Sequence, residues 1–344
     1  MTGKQKNVLI VVPSITLVEQ MYSDFKEYGW DEVDRYVSKL HSNTKPDFKK
    51  PILITTWQSV VNRREYFFEK WNALLIDETH TAKSVSIQSI AKKCEYADYR
   101  LGFTGTLPTE KSDTYNIFGY LGPIVYKQKA KELIDMGFLS NISIVNLLLK
   151  YPKKVVEKNR YRPYQEEIDT INNYQKRNDA FKFIFEHIKD GQNSLILCSR
   201  IKHLHSLEEW LIDNLPDEYS IYTIYGKISA TQREEIRHIM DNGENIILLG
   251  TYQTMSTGVN IRKIHHVIFA SSYKSKIKVL QSIGRGLRLH DTKDEMVLWD
   301  MIDDMTWTTR NDTLGKNHVF KHWEERIGFY EGQGFPYYNK MLKI

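Results

Sequence analysis

Short apolar runs closed by small or polar residues recur through the first third of the chain, at residues 7–12, 52–56, 73–76 and 99–104. Each is long enough for a strand and too short for a helix, and between them the apolar spacing becomes helical, as over 15–27. Continuous apolar strands alternating with helices predict a doubly wound parallel sheet. A helix over 129–137 and a strand over 142–149 lead out of this core, and the charged, proline-flanked stretch 151–162 reads as a linker or exposed loop. After a helical segment, 164–189, strands at 194–198, 220–225, 245–249, 266–270 and 295–299 again alternate with helices. The expectation is an α/β chain of two parallel-sheet domains, residues 1–139 and 140–344, with the aromatic-rich residues 307–344 closing the second as packed helices.

Composition narrows this picture only a little. A chain of 344 residues has room for two cores, and a net charge of +5 is compatible with nucleic acid without demanding it. Cys94 and Cys198 lie in apolar segments, as expected in a reducing cytoplasm. No apolar run approaches the roughly 18 residues of a membrane span, so no membrane partner is expected. His203, His205, His265 and His266 lack cysteine partners at zinc-ligand spacing.

The chemistry concentrates after the third run, where Asp77-Glu78-Thr79-His80 follows Ala73-Leu74-Leu75-Ile76. Open parallel sheets bind ligands at the carboxyl ends of their strands. An aspartate placed there can hold Mg²⁺ through water, and the adjacent glutamate can orient an attacking water for phosphoryl transfer. A solvated acidic turn is the plain alternative. Thr104-Gly105-Thr106 closes the next run. Downstream, Gln281, Arg285 and Arg288 fall at i, i+4 and i+7, one face of a helix, and form a fork suited to a polyphosphate. Gly284 and Gly286 in that helix suggest close backbone approach.

In this order and at these separations DETH, TGT and QSIGRGLR resemble motifs II, III and VI of the superfamily 2 helicases, ATP-driven motors with two RecA-like domains. Residues 11–20 resemble motif Ia, 55–59 motif Ib, 195–200 motif IV and 250–260 motif V. Within the superfamily the likeness is to T4-type phage helicases. It rests on TTWQSVV at 55–61, LLLKYP at 147–152 followed by YQEEI at 164–168, KSKIKVLQSIGRGLR at 274–288 and WDMIDD at 299–304. Phage encoding would place the protein in the host cell cytoplasm. One departure stands out: the family's phosphate-binding loop, G-x-x-x-x-G-K-S/T, is missing from this chain, where Gly3-Lys4, Gly226-Lys227 and Gly315-Lys316 are followed by neither Ser nor Thr. In a RecA-like sheet the strand before that loop would lie beside the strand ending at Thr104. The expectation is a first domain incomplete at its N-terminus, in a fragment or split gene, with a separate N-terminal segment carrying the loop as a partner.

The resemblance implies a role for each matching residue. Asp77 would coordinate the Mg²⁺ of ATP through water, Glu78 would position the hydrolytic water, and His80 and Gln281 would couple nucleotide state to the second domain. Thr104, Gly105 and Thr106 would link hydrolysis to closure, Arg285 and Arg288 would act as arginine fingers, and Gly258 and Asn260 would lie near the nucleotide. Ser14, Thr16, Thr56, Gln58, Ser199 and Arg200 suit contacts to a nucleic-acid backbone, each being equally well placed as a cap or turn residue. Trp57 fits core packing better than base stacking. The implied function is that of an ATP-dependent DNA helicase or branch-migrating translocase of phage recombination, repair or fork processing. Its partner would be branched, single-stranded or duplex DNA, with RNA in hybrids left open. The alternatives are an ATPase-inactive nucleic-acid-binding remnant or regulatory subunit, and the motor subunit of a restriction enzyme or remodeller.

Overall fold

The computed structural model describes residues 6–42, 44–81, 85–108, 110–226, 228–256 and 261–344. The chain divides into two compact units, Met1–Lys127 and Gln128–Ile344, so the boundary falls after Lys127 rather than after residue 139. The physical reason is the packing of the helix Ala130–Asp135. Its Ala130 N–H donates to Gln333 Oε1 at 3.0 Å, and Ala130, Ile134 and Leu139 pack on the second unit's core.

The first unit is built on β1 (Val8–Val12), β2 (Val37–Leu40), β3 (Ile52–Thr56), β4 (Ala73–Ile76) and β5 (Tyr99–Gly102). All pair in parallel in the order β2-β3-β1-β4-β5. Because β1 and β3 are apolar at successive positions, both sheet faces are covered: Leu9, Val11 and Leu53 meet Phe68, Trp71 and Ile90, while Ile10, Val12 and Ile54 meet Val18 and Val33. The strand β2 was not expected, since Val37-Ser38-Lys39-Leu40 is too short and polar to stand out. At the other edge, β5 and the residue after it expose Tyr99, Leu101 and Phe103 to 54%, 39% and 49%, and among the described residues no strand pairs with the outer side of β5. Side chains at i, i+2 and i+4 share one face of a strand, so this edge is both open and apolar.

The second unit contains β6 (Asn141–Lys150), β7 (Ser194–Cys198), β8 (Ser220–Ile224), β9 (Ile246–Thr251), β10 (His266–Phe269), β11 (Glu295–Asp304), the short hairpin β12 (Trp307–Thr308) and β13 (Leu314–Gly315), and β14 (Tyr337–Lys343). Its main sheet is parallel throughout, in the order β14-β6-β11-β10-β7-β9-β8. Three details differ from expectation. β6 lies inside this sheet instead of leading toward it. The stretch 151–162 is not an exposed loop, for Tyr151 is buried and residues Lys153–Asn159 are helical. The closing segment is a helix, His318–Gln333, flanked by strands; Gly334 ends it in the left-handed conformation, and β14 then runs beside β6.

β11 holds the unit together from both faces. Asp300 receives Nε and Nη2 of Arg326 at 2.8 Å each and the Tyr330 hydroxyl at 2.8 Å; Asp303 receives Nε of Arg177 at 2.6 Å and the Tyr151 hydroxyl at 2.8 Å. Three residues apart on a strand, the two carboxylates point to opposite faces. All four charged partners are essentially buried. Removing one charge of such a pair leaves the other uncompensated, so Asp300→Asn should cost about 3–5 kcal/mol of second-unit stability. Urea unfolding checks this; a loss below about 1 kcal/mol would mean that the pair is not what anchors the helix His318–Gln333.

Candidate active site

At the carboxyl end of β4 the backbone makes one more ladder bond, Asp77 N–H to Val11 O at 3.0 Å, and then turns sharply at Glu78, whose φ is 49°. A left-handed glutamate costs roughly 1–2 kcal/mol and persists only where its surroundings over-determine it. Several bonds do so here. The Glu78 N–H donates to Asp77 Oδ1 at 2.8 Å, and Thr79 donates through both its N–H (2.9 Å) and its hydroxyl (2.7 Å) to Phe103 O. His80 Nδ1 lies 3.0 Å from Glu78 Oε2 and 3.2 Å from Thr104 Oγ1, and the Thr104 hydroxyl donates to Thr106 O at 2.9 Å. With its proton on Nδ1, His80 donates to both oxygens. Gly102 allows the close fit: a Cβ there would lie 2.6 Å from Thr79 Cγ2 and 2.8 Å from Leu121 Cδ1. The structure thus brings Asp77, Glu78 and His80 together with Thr104 and Thr106 in one bonded turn, Gly105 lying exposed between the two threonines.

Burial raises the Asp77 pKa, and the neighbouring Glu78 charge adds to the effect. One of its oxygens is occupied by the Glu78 N–H, leaving the other for a ligand. Two adjacent carboxylates with a partly buried oxygen free are the hard donors that Mg²⁺ prefers, so the residues present fit such an ion held through water.

In the second unit Gln281 and Arg285 share a face of the helix Lys276–Gly286. Arg288 lies beyond the helix end, so the expected single face of three residues holds only for the first two. That end is held by a residue the sequence pattern did not single out. Lys293, buried, donates to Gly286 O at 2.8 Å and Arg262 O at 3.1 Å, and burial, with Arg288 nearby, lowers its pKa to about 8. A lysine between Thr292 and Asp294 reads as a surface turn; only the tertiary fold aims it inward. Of the two glycines, Gly286 does sit against neighbours, a Cβ meeting Val267 Cγ2 at 2.9 Å, whereas Gly284 has nothing within 4 Å. Gly258 and Asn260 lie outside the described residues.

The backbone-contact candidates all follow strand ends. Ser14 caps the helix Ile15–Glu27, its Oγ accepting the Leu17 N–H at 3.3 Å, and Thr16 is exposed in the first turn. Thr56 is buried with its hydroxyl bonded to Ser59 Oγ at 2.9 Å, while Gln58 is exposed. Thr56 therefore acts as a turn residue. Ser199 is exposed after β7, and Arg200 pairs with Asp169 at 2.6 Å. Trp57 packs on the first unit's core. The histidines are structural too: His203 bonds Ser271 Oγ, and His266 lies between Gln192 and the Trp299 indole N–H, burial lowering both pKa values to about 3. Cys94 and Cys198 are buried thiols pushed up to about 12, which makes them inert.

The chain's two parallel sheets have the fold of the RecA-like domains of superfamily 2 helicases, and a family model matches part of each unit. Residues 1–109 match the family described as type III restriction enzyme, res subunit, and residues 175–290 the helicase conserved C-terminal domain. Among its relatives is the ATP-dependent DNA helicase uvsW of Enterobacteria phage T4, 29% identical over 98% of this chain and 68% of that protein. The crystal structure of T4 UvsW superposes with a TM-score of 0.51 at 28% identity, covering 99% of this chain and 68% of the other. A protein of Acanthamoeba polyphaga mimivirus named for ATP-dependent RNA helicase activity is 24% identical over 86% of this chain; the chain spans 58% of its length. A fragment assigned to the HsdR subunit of a type I restriction enzyme from Vibrio vulnificus shares the fold, with a TM-score of 0.67 at 16% identity over all of this chain and 59% of that one. No helix among the described residues is long and apolar enough to cross a membrane.

The raised pKa of Asp77 gives a prediction with a definite sign. A carboxyl that holds its proton more tightly folded than unfolded lowers stability once the pH exceeds its unfolded value, and this cost vanishes below that value. Asp77→Asn should therefore stabilise the first unit at neutral pH in the absence of divalent cations, the gain fading as the pH drops toward about 4. Urea unfolding at several pH values measures it; a constant difference, or a loss at neutral pH, would show that burial does not disfavour the charged carboxylate.

Proposed function

We propose that the chain is the water-activating and nucleic-acid-binding part of an ATP-dependent DNA helicase or branch-migrating translocase. The observation that carries the reading is the strained Asp77–Glu78 turn bonded to the Thr104–Thr106 loop, since left-handed glutamate at a strand end is retained where geometry serves chemistry. Asp77 would hold Mg²⁺ through water; that ion, when bound, neutralises charge on the transferred phosphoryl group. Glu78 aligns the attacking water and His80 fixes the Glu78 carboxylate. Gln281, Arg285 and Arg288 supply the coupling and the positive charge at the γ-phosphate, the role that Gly258 and Asn260 assist. Exposed Thr16, Gln58 and Ser199, with the Ser14 hydroxyl proton and Arg200, contact the strand's phosphates. DNA is favoured by the likeness to the phage helicase, and the mimivirus relative keeps RNA as the competing arm of the test. A phage role in recombination, repair or fork processing, and action within a host cytoplasm, rest on that same likeness.

The cradle for the β- and γ-phosphates is not among these 344 residues. The open apolar edge of β5 supports the further proposal that a strand, phosphate loop and helix from a separate segment pair there. Without that segment the chain binds nucleic acid and does no ATP chemistry, which is the second reading.

Two outcomes are expected. The chain alone should turn over ATP at a rate near background, and adding the segment should restore nucleic-acid-stimulated hydrolysis that Glu78→Gln abolishes and Arg285→Ala or Arg288→Ala lowers by about 10³-fold. Fast turnover by the chain alone, sensitive to Glu78→Gln, would contradict the need for the segment. Separately, the chain should bind single-stranded and forked DNA with an affinity that falls steeply with salt and varies little with sequence. Titration of labelled DNA and RNA at two salt concentrations checks this, and absence of binding at low salt would end the reading.

A further inference from the structure

A cavity of about 460 Å³ opens in the second unit between the segment following β6, the β12–β13 hairpin and the start of the helix His318–Gln333. Its wall carries two aromatic rings. Tyr161 is 80% exposed on a left-handed backbone, φ 59°, and its ring meets Trp307 edge-on at 5.3 Å. Trp307 lies flat against Gly315, where a Cβ would come within 2.2 Å of the indole, so that glycine is what lets the ring settle there. The Trp307 indole N–H is buried without a hydrogen-bond partner. An exposed tyrosine held in a strained conformation contributes little to a core, and strain of this kind gathers at ligand clamps.

The rim is basic. Arg162, Lys316 and Lys321 line it against a single carboxylate, Glu167. That carboxylate is already committed, accepting the His318 and Val319 N–H groups at 2.9 Å each and the Asn317 amide at 3.0 Å. Arg162 and Lys316 share surface carboxylates, Glu166 at 3.3 Å and Glu324 at 2.6 Å. Exposed pairs of that kind are worth little and yield readily to phosphate. Lys321 is exposed, with no ion pair to another described residue.

We infer that this cavity takes one unpaired nucleobase of a nucleic-acid strand, stacked on Tyr161 beside the edge-on Trp307, with its phosphate on Lys321 and Arg162. Aromatic rings beside cations bind single strands without regard to sequence, because every base presents a π-face. The inference rests on the nucleic-acid reading of the previous section and names a subsite for it. Placement agrees: the cavity lies over the carboxyl ends of β6 and β11, and β10 alone separates β11 from β7, which leads to Ser199 and Arg200. Two strand spacings amount to about 10 Å. The helix Tyr164–Asn173 bridges the two places, Glu167 facing the cavity and Asp169 holding Arg200.

The test compares oligothymidylate with an abasic strand of the same length, and with thymidine monophosphate as the free-nucleotide source, on the full chain. Tyr161→Ala should weaken oligothymidylate binding about 10-fold, with Tyr161→Phe close to the parent and the abasic strand unaffected. Lys321→Ala should weaken both strands and lower the salt slope by about one. Ultraviolet cross-linking of a 5-iodouracil strand should mark Tyr161 or Trp307. If Arg200→Ala weakens binding while Tyr161→Ala and Lys321→Ala do not, the subsite is refuted and the general nucleic-acid reading stands. If the parent binds no strand at all, both fall. Monophosphate binding that is tight and lost in Tyr161→Ala, with strand affinity unchanged, would overturn the strand as occupant.

Discussion

Every strand of the five-stranded sheet, and every strand of the seven-stranded sheet, runs the same way as its neighbours, and that constraint arranges the rest of the molecule. Parallel pairing gathers all carboxyl ends along one edge of a sheet and all amino ends along the other. Residues far apart in sequence thereby become neighbours without any direct selection for contact. In the first unit the edge collects Ser14, Gln58, Asp77 to His80 and Thr104 to Thr106; in the second it collects Ser199, Arg200 and the basic-aromatic cavity. Left-handed backbone occurs on this edge at Glu78 and Tyr161, and at the opposite edge at Asn245, a residue type that tolerates it.

Asparagines mark the amino-terminal edges of both sheets. Asn7 and Asn72 tie β1 to β4, with Asn7 N–H donating to Asn72 Oδ1 at 2.9 Å and the Asn7 amide to Lys70 O at 3.0 Å. In the second unit Asn193 is fully buried and bonds Met240 O, Gly243 O and the Ile246 N–H, while Asn245 receives the Gly191 N–H and donates to Asp190. These asparagines satisfy backbone groups where strands begin, which buried loops require.

How much of this could be read beforehand follows from how local each signal is. The strand β4 and its Asp77–Glu78 end were legible because an apolar run and two carboxylates are contiguous. Helical spacing likewise paired Gln281 with Arg285. Signals that need tertiary partners were not legible. β2 and β14 are edge strands in which polar residues interrupt the apolar ones, so neither shows an apolar run. The acidic run in residues 299–304 looked like a family marker, and its meaning emerged only with Arg177 and Arg326 brought from distant helices. Lys293 was invisible as a structural group for the same reason, and the first boundary differs because the helix Ala130–Asp135 chooses its partner by packing with Gln333 rather than by any composition change.

The central claim is that the carboxyl edges of both sheets are the working surface. Amide hydrogen exchange of the full chain, with and without saturating single-stranded DNA, addresses it most directly. The account predicts slowed exchange at the loops after β1, β3 and β7 and along residues 161–168 and 307–318. It predicts no change where strands begin, around Asn72, Asn193 and Asn245. Protection centred on those asparagine turns, or spread evenly over both edges, would contradict it.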